Sequence, residues 1–155
     1  MRIQETYLIV KAFQESFIDN YSNLTVKSMM MLKWFSQNCE NTKYLLKTDD
    51  DMYINLSVLH QVVTSHDISH EGSDLLVGSL VCSALPIRDP GHKWYMSPEI
   101  WPQWQYPPYV QGASYLMSGS AALKMYRASM ATPLNHIEDV YITGILATKT
   151  NIRLV

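Results

Sequence analysis

The chain has 155 residues and a mass of 17.8 kDa, of which 47% are apolar and 17% charged. That is enough apolar material for one core and too much for a disordered chain. With 12 basic and 14 acidic residues the formal charge is -2, which argues against nucleic acid as a partner, because such binders carry a basic face.

No apolar run approaches the roughly 20 residues that cross a bilayer, and the start shows no signal-peptide pattern. In chain order, Tyr7-Leu8-Ile9-Val10 is a short apolar run of strand formers. After it, Ser22 or Asn23 is placed to cap a helix that carries Leu24, Met31, Leu32 and Phe35 on one side. Tyr44-Leu45-Leu46-Lys47 predicts a strand that runs straight into Asp49-Asp50-Asp51. A second helix is expected from Asn55, with Leu56, Leu59 and Val63 on one stripe, and Leu75 to Val81 predicts a buried strand. From Pro86 to Pro108 the pattern breaks into a Pro-rich aromatic loop. Gln111 to Met117 then predicts a strand, Ser118 a cap for a helix over Ala121 to Ala128, and Glu138 the start of a last helix carrying Val140, Ile145 and Leu146. Strands alternating with helices predict an α/β fold with a mainly parallel sheet flanked by helices.

Three adjacent carboxylates after a strand repel one another, and a divalent cation such as Mg²⁺ or Mn²⁺ would neutralise them with hard oxygen ligands. In extended backbone Asp49 and Asp51 face one side together. The plainer alternative is an acidic, solvated turn. Glu138 and Asp139 have the same double reading: carboxylates favour helix starts, and Asp139 is also placed to serve as a general base. Trp94, Tyr95, Trp101, Trp104, Tyr106 and Tyr109 fall in one window interleaved with prolines. Such rings either stack on sugar faces or cover the core. His66 and His70 lie four apart without a helix signal, and none of the five histidines shows zinc spacing. Cys39 and Cys82 form either one disulfide or two thiols. The sequons at Asn23 and Asn55 favour a secretory chain only weakly, since such triplets are common.

Taken together and in order, Phe17 to Lys27, Lys33-Trp34, Cys39, Lys47 to Asn55, Pro86-Ile87-Arg88, Lys93-Trp94-Tyr95, Tyr106-Pro107-Pro108-Tyr109, Gly112 and Glu138-Asp139-Val140-Tyr141 resemble the β-1,3-galactosyltransferase family. That family includes β-1,3-N-acetylglucosaminyltransferases and Fringe-type enzymes. The resemblance implies a GT-A fold with a Rossmann-like sheet, and inverting transfer of a hexose from a UDP-sugar donor to the 3-hydroxyl of a glycan acceptor. It implies Asp49, Asp50 and Asp51 as the donor site, with Asp51 and Asp49 as ligands of Mn²⁺ or Mg²⁺, and Asp139 as catalytic base. Trp94, Trp101, Trp104, Tyr109, Gly112 and Glu138 are then expected to bind substrate. Family members are type II Golgi membrane proteins acting on the lumenal side. The chain begins after the family's Arg- and Trp-bearing segment and its membrane anchor, so an N-terminally truncated, single partial catalytic domain is expected. Lys11 stands where many members carry Asp, Ser114 where a second Gly is common, and Val110 and Leu146 in regions where relatives often have Cys.

A dehalogenase-type phosphatase also places D-x-D after an apolar strand. Met52 and Tyr53 follow Asp51 here, and no later Lys or Gly-Asp element completes that pattern. A non-catalytic, sugar-binding pseudo-enzyme of the same fold is the remaining alternative.

Overall fold

A computed structural model describes residues 16–39, 41–64 and 74–155. The apolar run at Tyr7 to Val10, together with Lys11, His66 and His70, lies outside the described residues.

A short 3-10 turn at Tyr21–Asn23 leads into helix α1, Leu24–Asn38. Thr25, Ser28, Met29, Leu32 and Phe35 are its buried residues, a three- and four-residue spacing that turns one face to the core. Leu24 and Met31, expected on that face, are only half-buried. Asn23 does precede the helix but makes no side-chain cap; its amide donates instead to the Ile18 carbonyl at 2.7 Å. Strand β1, Tyr44–Thr48, follows, then helix α2, Leu56–Thr64, where Asn55 Oδ1 accepts from the Val58 N–H at 3.1 Å. None of the residues of α2 is buried, and Leu56 is exposed.

Strands β2, Leu75–Val81, and β3, Tyr109–Ser118, complete the centre of the sheet with the two-residue β4, Arg153–Leu154. The order is β1-β3-β2-β4. Among the described residues the sheet is mixed, so the expectation of a mainly parallel one is not confirmed: β3 runs antiparallel to both β1 and β2, and β2 and β4 pair in parallel. The long loop between β2 and β3 contains no crossover helix, so β3 returns along its neighbour in the opposite sense. In β2 only Leu75 and Leu76 are buried; Gly78 to Leu80 are exposed.

Ser118 caps helix α3, Gly119–Ser129, by accepting from the Ala121 N–H at 3.2 Å, and also accepts from the Leu75 N–H at 3.3 Å. Helix α4 starts at Glu138, runs as a π-helix over Val140–Leu146 and finishes as an α turn over Ala147–Lys149. The main core gathers Met29, Leu32 and Phe35 of α1, Leu76 of β2, Tyr115 and Met117 of β3, Met125 of α3, and Tyr141 and Ile142 of α4. A smaller cluster of Met96, Tyr106 and Val140 ties the aromatic loop to α4. Cys39 is half-buried, Cys82 is exposed, and both are free thiols. Among the described residues no helix is long and apolar enough to cross a membrane.

Candidate active site

β3 is the floor of the site. Its N-terminal half carries Tyr109, Gln111, Gly112 and Ala113 along a cleft of about 470 Å³. The start of α4 forms one wall, with Glu138 and Asp139, and the end of β1 contributes Lys47 and Asp49. The 3-10 turn and the aromatic loop close the rim through Tyr21, Trp94 and Tyr106.

Asp139 is held by backbone donors. The Gly112 N–H reaches its Oδ2 at 3.1 Å, and the Val140 N–H its Oδ1 at 2.8 Å. Burial raises its pKa above the usual carboxylate value; these N–H groups and the Lys47 charge act in the opposite direction. Glu138 is buried, and its pKa is likewise raised by desolvation, against the Tyr115 hydroxyl, Lys47 and Ser28 that favour the anion. The Tyr115 hydroxyl donates to Glu138 Oε1 at 2.6 Å. Gly112 makes this crowding possible. A Cβ there would lie 3.2 Å from Glu138 Oε2, tight enough that this carboxylate would have to give, and in ordinary contact with Asp139 Cβ at 3.4 Å.

Thr143 fastens this end of α4 to β3. Its buried hydroxyl accepts from the Val110 N–H at 2.8 Å, and its hydrogen faces the Asp139 carbonyl at 2.7 Å and the Val110 carbonyl at 2.8 Å. π-helical turns of this kind are frequent at functional sites.

The aspartates separate. The Asp49 N–H donates to the Ala113 carbonyl at 3.0 Å, which carries strand pairing one residue past β1, and its carboxylate lines the cleft. Its Oδ1 accepts from Lys47 Nζ at 2.5 Å. Asp50 and Asp51 are exposed on the turn that follows, are not among the residues lining the cleft, and have no side-chain partner among the described residues. Among the described residues no three His, Cys, Asp or Glu side chains converge as a ready-made metal cage. The donor set of the turn is nonetheless all carboxylate oxygen, which suits Mg²⁺ or Mn²⁺ held by one or two protein ligands with substrate oxygens completing the shell.

The aromatic window divides as well. Trp94 and Tyr109 line the cleft. Trp94 Nε1 donates to the Tyr21 hydroxyl at 2.6 Å, and Lys93 Nζ lies 4.4 Å from its ring centroid. Trp101 packs on the Met96, Tyr106 and Val140 cluster, and its Nε1 donates to the Gln105 carbonyl at 3.2 Å. Trp104 is exposed, and neither ring is among those lining the cleft. Arg88 sets this partition. Its guanidinium donates to the carbonyls of Met96, Trp101 and Gln103 at 2.7, 2.7 and 2.9 Å, folding the loop around one cation. Tyr106 lines the cleft with its phenol pKa raised to about 12 by burial, so the hydroxyl stays protonated.

Lys47, Tyr115, Ser28 and His136 complete the surroundings without having been singled out as site residues. Lys47 had a legible signal. It stands two residues before Asp49, so period-two alternation puts both side chains on one face. Ser28 and Tyr115 read as ordinary positions of a helix and a strand.

The galactosyltransferase family model matches residues 5–155. The chain is 35% identical to beta-1,3-galactosyltransferase 5 of Homo sapiens over 141 residues, 91% of this chain and 44% of that protein. It is 34% identical to beta-1,3-galactosyltransferase 1 of Mus musculus over 150 residues, 96% of this chain and 45% of that protein. The chain therefore spans less than half the length of the curated relatives it matches. With the match running from residue 5 to the last residue, the chain belongs to the galactosyltransferase family.

Proposed function

We propose that the protein carrying this sequence is an inverting β-1,3-hexosyltransferase that moves a sugar from a UDP-sugar to the 3-hydroxyl of a glycan acceptor. The names of the relatives favour galactose over N-acetylglucosamine as the sugar moved. The observation that carries the reading is the Asp139 carboxylate, fixed by two backbone N–H groups in a cleft that also holds Asp49. A base must be ionised near neutral pH yet basic enough to take a proton, and burial moves Asp139 towards that balance. The acceptor hydroxyl gives its proton to Asp139 as its oxygen attacks the anomeric carbon. UDP departs from the opposite face, which inverts the configuration.

Asp51 and Asp49 would hold Mn²⁺ or Mg²⁺ beside the donor diphosphate. Such a cation supplies positive charge against the phosphate oxygens of the leaving group. Trp94 and Tyr109 offer ring faces for sugar C–H groups, and Tyr106 a neutral hydroxyl. By the family's pattern, the proposed place of action is the lumenal side of the Golgi membrane.

Asp139→Asn in the whole protein tests the reading. Asn keeps the shape but offers one acceptor oxygen where the carboxylate gives one to Gly112 and one to Val140, so a melting curve and UDP-sugar binding establish that the variant is folded before its rate is compared. Transfer from UDP-galactose to a simple glycoside acceptor is expected to fall by about 10²-fold or more, the scale of a lost general base. Near-normal turnover beside an intact melting curve would remove Asp139 from the mechanism.

A further inference from the structure

Lysine side chains are among those least often buried, because an ammonium withdrawn from water needs compensating partners. Lys47 keeps only 17% of its side chain exposed and has two such partners. Nζ lies 2.5 Å from Asp49 Oδ1 and 2.5 Å from the Gly112 carbonyl oxygen. Gly112 in turn donates its own N–H to Asp139 Oδ2. One residue of β3 is therefore gripped on its carbonyl side by a cation of β1, and on its amide side grips the carboxylate of α4. We propose that Lys47 is a positioning residue, which fixes the Gly112 backbone so that its N–H orients the Asp139 carboxylate, and links this to the aspartate at the end of β1. The inference rests on the reading of Asp139 as the base.

Charged and titratable groups surround Asp139 from several elements, and His136 lines the same cleft just before α4. Lys47 faces it from β1, Tyr109 and Tyr115 from β3, Tyr106 from the aromatic loop, and Glu138 from its own helix. Lys47 alone among these is a cation. Lys47 Nζ also sits 5.7 Å from the Tyr115 ring centroid, which keeps it on the same side of the strand as the buried Tyr115–Glu138 pair. A neutral residue at position 47 would remove both the grip on Gly112 and a positive charge that favours the Asp139 anion. Asp139 would then hold its proton more tightly, and the acidic limb of kcat/KM would move to higher pH.

The test compares wild type with Lys47→Met, which keeps the apolar stem, and Lys47→Arg, which keeps the charge and donors. The kinetic readout is the pH profile of kcat/KM. The second readout needs no turnover: in the intact protein labelled with 15N-glycine, the Gly112 amide resonance reports the protonation of Asp139 as pH is varied. Lys47→Met is expected to lower kcat by about tenfold or more, the scale of one hydrogen bond to a charged group. The acidic limb and the Gly112 midpoint should move together to higher pH, and Lys47→Arg should bring both back towards wild type. A folded Lys47→Met protein in which limb and midpoint stay at their wild-type positions overturns the proposal, whatever its kcat. Should that chain fail to melt cooperatively, Lys47→Gln, which keeps a donor for the Gly112 carbonyl without the charge, takes its place under the same criteria. Asp139→Asn measured alongside separates the two readings. Its full activity would overturn Asp139 as the base, while the Gly112 midpoint still decides whether Lys47 holds that carboxylate.

Discussion

Gly112 shows how far one missing Cβ reaches into the chemistry. Its amide and carbonyl are both engaged, by Asp139 and by Lys47, and its α-carbon faces the two carboxylates at the start of α4. An alanine would push on Glu138 Oε2 by a few tenths of an ångström and sit in contact with Asp139 Cβ. Gly-to-Ala in a strand otherwise gains backbone entropy, so Gly112→Ala is expected to change stability by no more than about 1 kcal/mol. Transfer is expected to fall by roughly tenfold or more, because small displacements of a catalytic group carry large kinetic costs. Parallel melting curves and steady-state rates check this. Equal losses of stability and rate, or no loss of either, would remove Gly112 from the positioning of the base. The residues whose chemistry could be read from sequence are largely those of this corner. Asp49, Glu138, Asp139 and Gly112, with Trp94 and Tyr109, all meet at the cleft. Its spacing from Asp49 puts Lys47 on the aspartate's face, but a lysine in a strand alternation has the look of a solvated position, and its contact with the Gly112 carbonyl depends on the β1–β3 register.

At the scale of elements, capping and periodicity marked the helices and strands well where the signal is local. Ser118 does cap α3, and α4 does begin at Glu138. What escaped is set by contacts distant in sequence. Strand direction depends on how the loop between β2 and β3 returns, and which rings of that loop face the cleft depends on Arg88 reaching three carbonyls up to 15 residues away. Trp101 and Trp104 have the same composition signal as Trp94, and no local pattern distinguishes them. The π-helical form of α4 was equally hidden, and Thr143 is its clearest test. Thr143→Val keeps the shape but removes the hydroxyl, leaving the buried Val110 N–H without the acceptor it has in the folded protein. The expected cost is about 1–3 kcal/mol in a urea titration, the penalty of an orphaned buried donor. Because Thr143 joins the Asp139 turn to β3, turnover at a temperature where the variant is fully folded should also fall. A stability loss with unchanged turnover would make Thr143 a staple of the fold alone.

Across the whole molecule the site and the core are one structure. Tyr115 of β3 hydrogen-bonds Glu138 and is a fully buried member of the main core, and Ser28 of α1 acts on the same carboxylate. Such an arrangement should be visible in stability as a function of pH. Burial is the largest influence on Glu138 and raises its pKa, against the Tyr115 hydroxyl, Lys47 and Ser28. The folded protein therefore holds this proton at pH values where the unfolded chain has lost it. The corresponding stabilisation is complete below the unfolded value, about 4.3 for a glutamate, and is lost as pH rises through the higher folded value. Glu138→Gln has no proton to lose. Its amide oxygen can still accept from the Tyr115 hydroxyl, so no orphan is left beneath it. Asp139 has the same sign of shift and interacts with Glu138, so removing the Glu138 charge eases the ionisation of Asp139 and acts in the same direction in the comparison. Melting temperatures from about pH 4 to neutrality are expected to show wild type losing ground steadily against Glu138→Gln as pH rises. A difference that stays constant across that range would mean that burying this carboxylate costs the folded protein nothing, and the polar link from α1 through Tyr115 to the site would then be fully compensated by its hydrogen bonds.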